Sequence, residues 1–172
     1  MRTVNSEMVF KTPFFQVIKD IVDIQSRQIT YWKVSTPEVV IILSFFKGKI
    51  VMVDHHRFTL GHKSLELPAG TVEKNETPVE CAKRELSEET GFVAGNMKKI
   101  FSFYPTNGVS DQLFHVCVAS GLVPGVHHRE KDELMNVVLL DESAVVDKIL
   151  DGSISDGRTI AAVLVHKLRR NK

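Results

Sequence analysis

Stretches in which apolar and polar residues alternate predict strands in the first third of the chain. Phe14–Asp20 and Gln28–Lys33 alternate in this way and are rich in aromatic and β-branched residues, which is typical of half-exposed strands. The apolar run Val39–Phe46 is too short to span a bilayer and is typical of a buried strand. The segment Lys47-Gly48-Lys49 joins it to a further strand at Ile50–Val53, and its glycine permits the positive φ of a turn. The last two strands are therefore expected to form a hairpin.

The clearest helical pattern follows a loop through Leu67–Gly70. Thr77 can cap the helix, Pro78 occupies its first position, and Glu80 completes a capping box. Gly91 can adopt the left-handed conformation that ends a helix. Apolar residues recur at helical spacing on one side, where they are expected to face the core: Val79, Ala82 and Leu86.

Further strands and two closing helices are predicted in the second half. The strands are Lys98–Tyr104, Gln112–Ala119 and Leu134–Leu140, and the helices are Asp141–Leu150 and Asp156–Leu168, each beginning with a capping aspartate. Strands on both sides of a central helix predict an α/β (α+β) fold in which helices sandwich a mixed sheet. No linker or repeat divides the chain, so residues 1–172 are expected to form a single domain.

Composition narrows the possible partners and the compartment. The net charge of +1 excludes nucleic-acid binding through a broad basic field. No segment has the length of a signal peptide core or a membrane span, so no membrane contact is expected. Only two cysteines, Cys81 and Cys117, are present, which favours buried thiols in a reducing cytoplasm over a disulfide framework.

Three glutamates of the predicted helix stand on one face. Glu85, Glu88 and Glu89 are spaced i, i+3 and i+4, and Arg84 lies one turn before Glu88. Carboxylates at this spacing form a site for a hard cation, Mg²⁺ or Mn²⁺, that also binds substrate phosphates. The alternative is a solvated charged face, although the apolar stripe and the glycine at each end of the segment argue against it.

Fixed identities at fixed spacing run through this segment: Gly70, Glu76, Arg84-Glu85-Leu86, Glu88-Glu89 and Gly91. At each specified position the pattern resembles the Nudix box. The resemblance implies a Nudix fold and hydrolysis of a nucleoside diphosphate linked to another moiety. Leu65–Gly70 and Asp151–Ala162 are similar to segments of the ADP-ribose pyrophosphatase and nucleoside diphosphate sugar hydrolase branch.

The resemblance also implies roles for individual residues. Glu85 and Glu89 correspond to the principal metal ligands, with Glu88 sharing or bridging a metal ion. The backbone carbonyl of Ala69 corresponds to a main-chain ligand. Arg84 is expected to orient the carboxylates by ion pairing, as is Glu76.

Catalysis and substrate binding involve residues outside the helix. The branch takes its general base, or a further metal ligand, from an acidic loop that corresponds to His127–Glu133. Glu130 and Glu133 are the candidates there, with Asp132 a third, and a merely solvated loop is the alternative. Arg57 is expected to bind a phosphate, and Glu66 to position Arg57 or the metal cluster.

The loop Ser102–Gln112, including Ser110, is similar to a substrate-binding loop of the branch but departs from it. Asn107 stands where the branch has proline, and Gln112 where it has glutamate. The tyrosine that usually precedes Arg57 is also replaced, by His56. ADP-ribose, a nucleoside diphosphate sugar and another dinucleotide-like diphosphate therefore all stay open as substrates.

The predicted function is Mg²⁺-dependent hydrolysis of such a diphosphate into two monophosphates. The alternatives are a non-catalytic Nudix module that binds a nucleotide as a sensor, and a Nudix hydrolase of another dinucleotide or a nucleoside triphosphate. The complete glutamate set favours the enzyme. The resemblance further implies a homodimer in which strands at about residues 10–35 are exchanged between subunits.

Overall fold

A computed structural model describes residues 1–125 and 135–170, which group into two compact units. The N-terminal unit comprises Met1–Glu38 and Phe103–Phe114, and the main unit comprises the described parts of Val39–Ser102 and His115–Lys172.

The N-terminal unit contains an antiparallel sheet of three strands in the order β1-β2-β3. They are β1 (Arg2–Lys11), β2 (Gln16–Ile24) and β3 (Arg27–Ser35). The turn between β2 and β3 places Gln25 and Ser26 at positive φ, 51° and 64°, which matches the twist of a tight hairpin. The two predicted strands of this region are present. β1 was not predicted.

The main unit is built on a sheet of seven strands, whose central order is β10-β5-β4-β9-β8, with β6 beside β5 and β7 beside β4. Its strands are β4 (Val39–Phe46), β5 (Lys49–Arg57), β6 (His62–Glu66), β7 (Ala69–Thr71), β8 (Phe92–Phe103), β9 (Phe114–Pro124) and β10 (Met135–Leu140). Its helices are α1 (Pro78–Thr90), α2 (Glu142–Leu150) and α3 (Gly157–Arg170).

Strand β4 lies at the centre of the core. Val40, Ile41, Ile42 and Leu43 are at most 1% exposed. Because successive side chains of a strand point to opposite faces, both faces of the sheet are covered at this strand. Val40 and Ile42 belong to the apolar cluster that includes the buried apolar residues of α1, and α3 also contacts β4.

The ends of α1 follow the predicted capping chemistry. The Thr77 hydroxyl accepts a hydrogen bond from the Glu80 amide, and the Glu80 carboxylate accepts one from the Thr77 amide at 2.8 Å. Gly91 ends the helix with a φ of 71°. The prediction of a capping aspartate is confirmed at Asp156, which accepts from the Thr159 amide at 3.0 Å. It is wrong at Asp141, whose side chain makes no cap hydrogen bond to α2.

Two further observations bear on the compositional predictions. Cys81 and Cys117 are free and fully buried, and burial raises the pKa of Cys117 to about 11. Across the described ranges, the helices are too short or too polar for any of them to cross a bilayer.

Candidate active site

Helix α1 carries the three glutamates with graded exposure. The side chains of Glu85 and Glu88 are 15% and 41% exposed, whereas Glu89 is buried at 5%. The helix is fixed against the core by Leu86 and Ala82, which are fully buried. The acidic face therefore belongs to a helix whose orientation is set by packing.

The Arg84 guanidinium donates hydrogen bonds to three glutamates. Its Nη1 donates to Glu85 at 2.7 Å and to Glu88 at 3.0 Å. Its Nε and Nη2 donate to the two oxygens of Glu76, both at 3.0 Å. This pairing with Arg84 lowers the pKa of Glu76, and the hydrogen bonds to Glu76 raise the pKa of Arg84. The arginine therefore lowers the repulsion among the carboxylates and orients them.

The segment before the helix approaches the same carboxylates. The Ala69 amide donates to Glu89 at 3.1 Å. A Cβ added at Gly70 would lie 1.8 Å from the Cδ atom of Glu85, so only glycine leaves space for this carboxylate. The segment thus lies against the acidic face, and a metal-ligand role for the Ala69 carbonyl stays a prediction.

The donor set fits a hard divalent cation, because Glu85, Glu88, Glu89 and the Ala69 carbonyl all offer oxygen. The absence of a Cβ at Gly70 leaves the Glu85 carboxylate a place beside the backbone. Within the described residues, however, no three acidic, histidine or cysteine side chains converge on one point. Arg84 engages Glu85 and Glu88, whereas Glu89 is hydrogen-bonded to the backbone of Ala69.

A second charged cluster, which we call the arginine cluster, consists of Arg57, Glu66, Asp156 and Arg158. Glu66 is buried at 2% exposure and receives Arg57 through Nε at 3.0 Å and Nη2 at 2.6 Å. Arg158 Nη2 donates to the same carboxylate at 2.5 Å. The hydrogen bonds to Glu66 raise the pKa of Arg57, to which the negative charge of Glu89 contributes as well. Glu66 lies three residues before Ala69, whose amide contacts Glu89, so a short chain segment connects the arginine cluster to the acidic face of α1.

The start of α3 is tied to this cluster by polar contacts. Asp156 accepts from Arg158 Nε at 2.8 Å and from the Thr159 hydroxyl at 2.8 Å. The buried Thr159 hydroxyl in turn accepts from the Leu67 amide at 2.9 Å. Arg158 and Thr159 are not among the site residues predicted from the sequence. The similarity of Asp151–Ala162 to a branch segment was a signal that could have found them.

Ser110 belongs to the N-terminal unit, where its loop is attached to β3. The Val34 amide donates to the Val109 carbonyl at 2.9 Å, and the Ser110 hydroxyl accepts from the Gln112 amide at 3.1 Å. A cavity of about 740 Å³ lies within this unit and is lined by Ser110 together with Tyr31, Trp32 and Tyr104. Glu130, Asp132 and Glu133 lie outside the described residues.

This chain is similar to a known protein family and to several characterised proteins. The NUDIX domain family matches residues 34–162. The ADP-ribose pyrophosphatase of Bacillus subtilis is 31% identical over 175 residues, covering 98% of this chain and 93% of that protein. The methanol dehydrogenase activator of Bacillus methanolicus is 31% identical over 166 residues, covering 94% and 90%.

One further relative matches part of the chain, and one solved structure has a similar fold. The GDP-mannose pyrophosphatase of Yersinia enterocolitica is 34% identical over 104 residues, 56% of this chain and 51% of that protein. The crystal structure of an ADP compounds hydrolase superposes with a TM-score of 0.87 at 20% identity, covering 99% of this chain and 94% of that one. This likeness confirms the predicted fold class, a mixed sheet with helices packed on it.

Proposed function

Because the chain belongs to the Nudix family, we propose that it hydrolyses the diphosphate bond of ADP-ribose or of a nucleoside diphosphate sugar. The products are two monophosphates. The ADP-ribose pyrophosphatase and GDP-mannose pyrophosphatase relatives support this substrate class, since both names denote the same bond in related nucleotides.

The acidic face of α1 carries the proposal. Glu85 and Glu89 would hold a divalent cation, Mg²⁺ or in its place Mn²⁺, with Glu88 and the Ala69 carbonyl as further ligands. When bound, the cation activates water and offsets the negative charge of the diphosphate oxygens. Arg84 orients Glu85 and Glu88 through the hydrogen bonds described above. Gly70 allows Glu85 to lie against the backbone.

Other residues bind the substrate and move the proton. Arg57 contacts a phosphate through its guanidinium, which Glu66 holds in place. Ser110 contacts the sugar or the base. Glu130 or Glu133 supplies the general base, and a pH–rate profile of Glu130→Gln and Glu133→Gln distinguishes them. Loss of the acidic limb of the profile in one variant identifies the base.

The non-catalytic alternative is less well supported. A sensor module has no need of the carboxylates that bind the metal, whereas Glu85, Glu88, Glu89 and Arg84 are all present and mutually oriented. The triphosphatase alternative does not account for the additional N-terminal strands β1 to β3. We therefore propose a diphosphate-cleaving enzyme rather than a sensor or a triphosphatase. We also propose that residues 1–172 form a single Nudix hydrolase domain.

We further propose that the enzyme is a cytoplasmic homodimer. Two free buried thiols are consistent with a reducing compartment. Strand β1 is exposed along its whole length and presents apolar side chains, including Met8 and Phe10, which are 54% and 56% exposed. An apolar strand surface of this kind is covered in a dimer.

A substrate panel tests the function. The purified protein is incubated with Mg²⁺ and ADP-ribose, nucleotide sugars, dinucleotides or nucleoside triphosphates, and ³¹P NMR identifies the products. We expect two monophosphates from at least one diphosphate-linked substrate, and none without a divalent cation. Cleavage of triphosphates alone, or binding without turnover, would overturn the proposal.

A further inference from the structure

The arginine cluster contains more hydrogen-bonding capacity than its internal contacts use. Arg57 donates to Glu66 through Nε and Nη2. Arg158 donates to Glu66 through Nη2 and to Asp156 through Nε. Within residues 1–125 and 135–170, neither Nη1 atom has a hydrogen-bond partner. The two side chains are 30% and 24% exposed, so neither is fully buried.

The two guanidiniums are held close together by one atom. Arg57 Nη2 and Arg158 Nη2 donate to the same oxygen of Glu66, at 2.6 Å and 2.5 Å. Cations at such proximity repel, and the buried carboxylate between them offsets this repulsion. The charges of Glu66 and Asp156 are taken up by these contacts, whereas unused N–H groups remain on both arginines. A planar fork with unused N–H groups matches the oxygens of a phosphate.

Building on the function proposed above, we propose that Arg57 and Arg158 form a two-arginine clamp for the diphosphate of the substrate, with Glu66 as the shared anchor. Arg158 is thereby a second anion-binding residue of the active site. Arg57 comes from the end of β5 and Arg158 from the first turn of α3, so the clamp joins chain segments far apart in sequence.

The contribution of Glu89 to the electrostatics of Arg57 supports the placement. Glu66, which anchors the clamp, also lies only three residues before Ala69, whose amide donates to the proposed metal ligand Glu89 at 3.1 Å. A diphosphate held by the clamp would therefore lie within reach of the acidic face of α1. A purely structural link between β5, β6 and α3 would need neither the unused Nη1 groups nor the partial exposure of the two side chains.

Binding of inorganic pyrophosphate in metal-free buffer, measured by calorimetry, tests the clamp. We expect Arg158→Gln to weaken pyrophosphate binding about tenfold or more, as for loss of a charged hydrogen bond. Arg158→Lys should give a smaller loss, because one ammonium cannot contact both Glu66 and a phosphate with fork geometry. Arg170→Gln is the matched control, since it removes the same charge at the far end of the same helix.

Pyrophosphate affinity of Arg158→Gln within about twofold of the wild type and of Arg170→Gln overturns the clamp. If Arg158→Gln does not fold, Arg158→Lys decides, and wild-type affinity of that variant overturns it equally. Selective loss of affinity in a folded variant supports the clamp even if the wild type cleaves nothing in the substrate panel. In that case only the proposed function fails. If the wild type is active but substitution of Arg158 does not change pyrophosphate affinity, the proposed function holds and the clamp is wrong.

Discussion

Arg84 contacts Glu76, Glu85 and Glu88 at the same time and is 28% exposed. Three carboxylates around one guanidinium leave an excess of negative charge at this position. That excess is the electrostatic condition for attracting a divalent cation, whereas a fully paired cluster would have none. The arginine therefore fixes geometry without neutralising the acidic face.

Glu85→Gln and Glu89→Gln should fold normally but lose at least about 10²-fold in kcat, because each removes a charge that would hold the cation. Steady-state hydrolysis with Mg²⁺, with circular dichroism as the folding check, measures this. Glu142→Gln serves as the control, since Glu142 is a partly exposed carboxylate of α2 that pairs with Arg170. Near-wild-type turnover of either site variant would refute the metal-ligand assignment.

Gly70→Ala should separate folding from activity. The new Cβ would meet the Glu85 carboxylate, the end of a flexible side chain that can move without unfolding the protein. Displacement of that carboxylate by about 1 Å is expected to lower turnover about 10²-fold while the melting temperature changes little. Gly157→Ala, where an added Cβ meets nothing within 4 Å, is the control. Equal turnover of the two variants would contradict this reading of Gly70.

At the scale of elements, helix α3 contacts β4 through a pair of rings, one of which belongs to a histidine. His166 packs against Phe45 with ring centroids 5.6 Å apart, and burial lowers the pKa of His166 below its ordinary value of 6.5. Arg170 on the same helix also lowers it, whereas Glu142 acts in the opposite direction. Protonation of His166 is therefore less favourable in the folded than in the unfolded chain.

The sign of the effect follows from this difference. Stability is complete above about pH 6.5 and declines as the pH falls through the depressed pKa of the folded state, because the unfolded chain takes up the proton more readily. The free energy of unfolding is measured with urea above pH 6.5 and again well below it. It should decrease less for His166→Gln than for the wild type. His62→Gln, at an exposed position, is the control. An equal decline in all three proteins would exclude His166 as a source.

Elements with strong local signals were predictable, and others were not. Helix α1 was predicted at both ends because capping chemistry is local to Thr77, Glu80 and Gly91. Strand β1 was missed because every residue in it is exposed, so the sequence carries no burial pattern there. For Glu66 the sequence analysis left two roles open, positioning Arg57 or the metal cluster, and the hydrogen bonds of Glu66 to Arg57 match the first.

Arg158 illustrates what sequence patterns cannot provide. Its partner Glu66 lies 92 positions earlier, and no periodicity or spacing connects residues so far apart. Only the folded chain shows that the two meet. The helix period does predict that the carboxylates of α1 share a face. It does not predict that the Glu89 carboxylate accepts a hydrogen bond from the Ala69 amide.

At the scale of the whole molecule, assembly is the testable property. Light scattering should give twice the chain mass of 19.4 kDa. The double variant Met8→Glu and Phe10→Glu should be monomeric, because it places charges on the apolar surface of β1 that a dimer would bury. Ser143→Glu, which adds a charge at an exposed polar position of α2 in the main unit, should stay dimeric. A monomeric wild type would remove the dimer proposal.

The hydrogen bond between the Thr159 hydroxyl and the Leu67 amide has a practical consequence for shortened forms of this protein. The box motif is complete by Gly91, yet the backbone that leads into it is held by a side chain from the last helix. A chain truncated ahead of α3 would retain each glutamate of the motif and lose the support beneath them. Activity should therefore disappear on deletion of a segment that contains none of the proposed metal ligands.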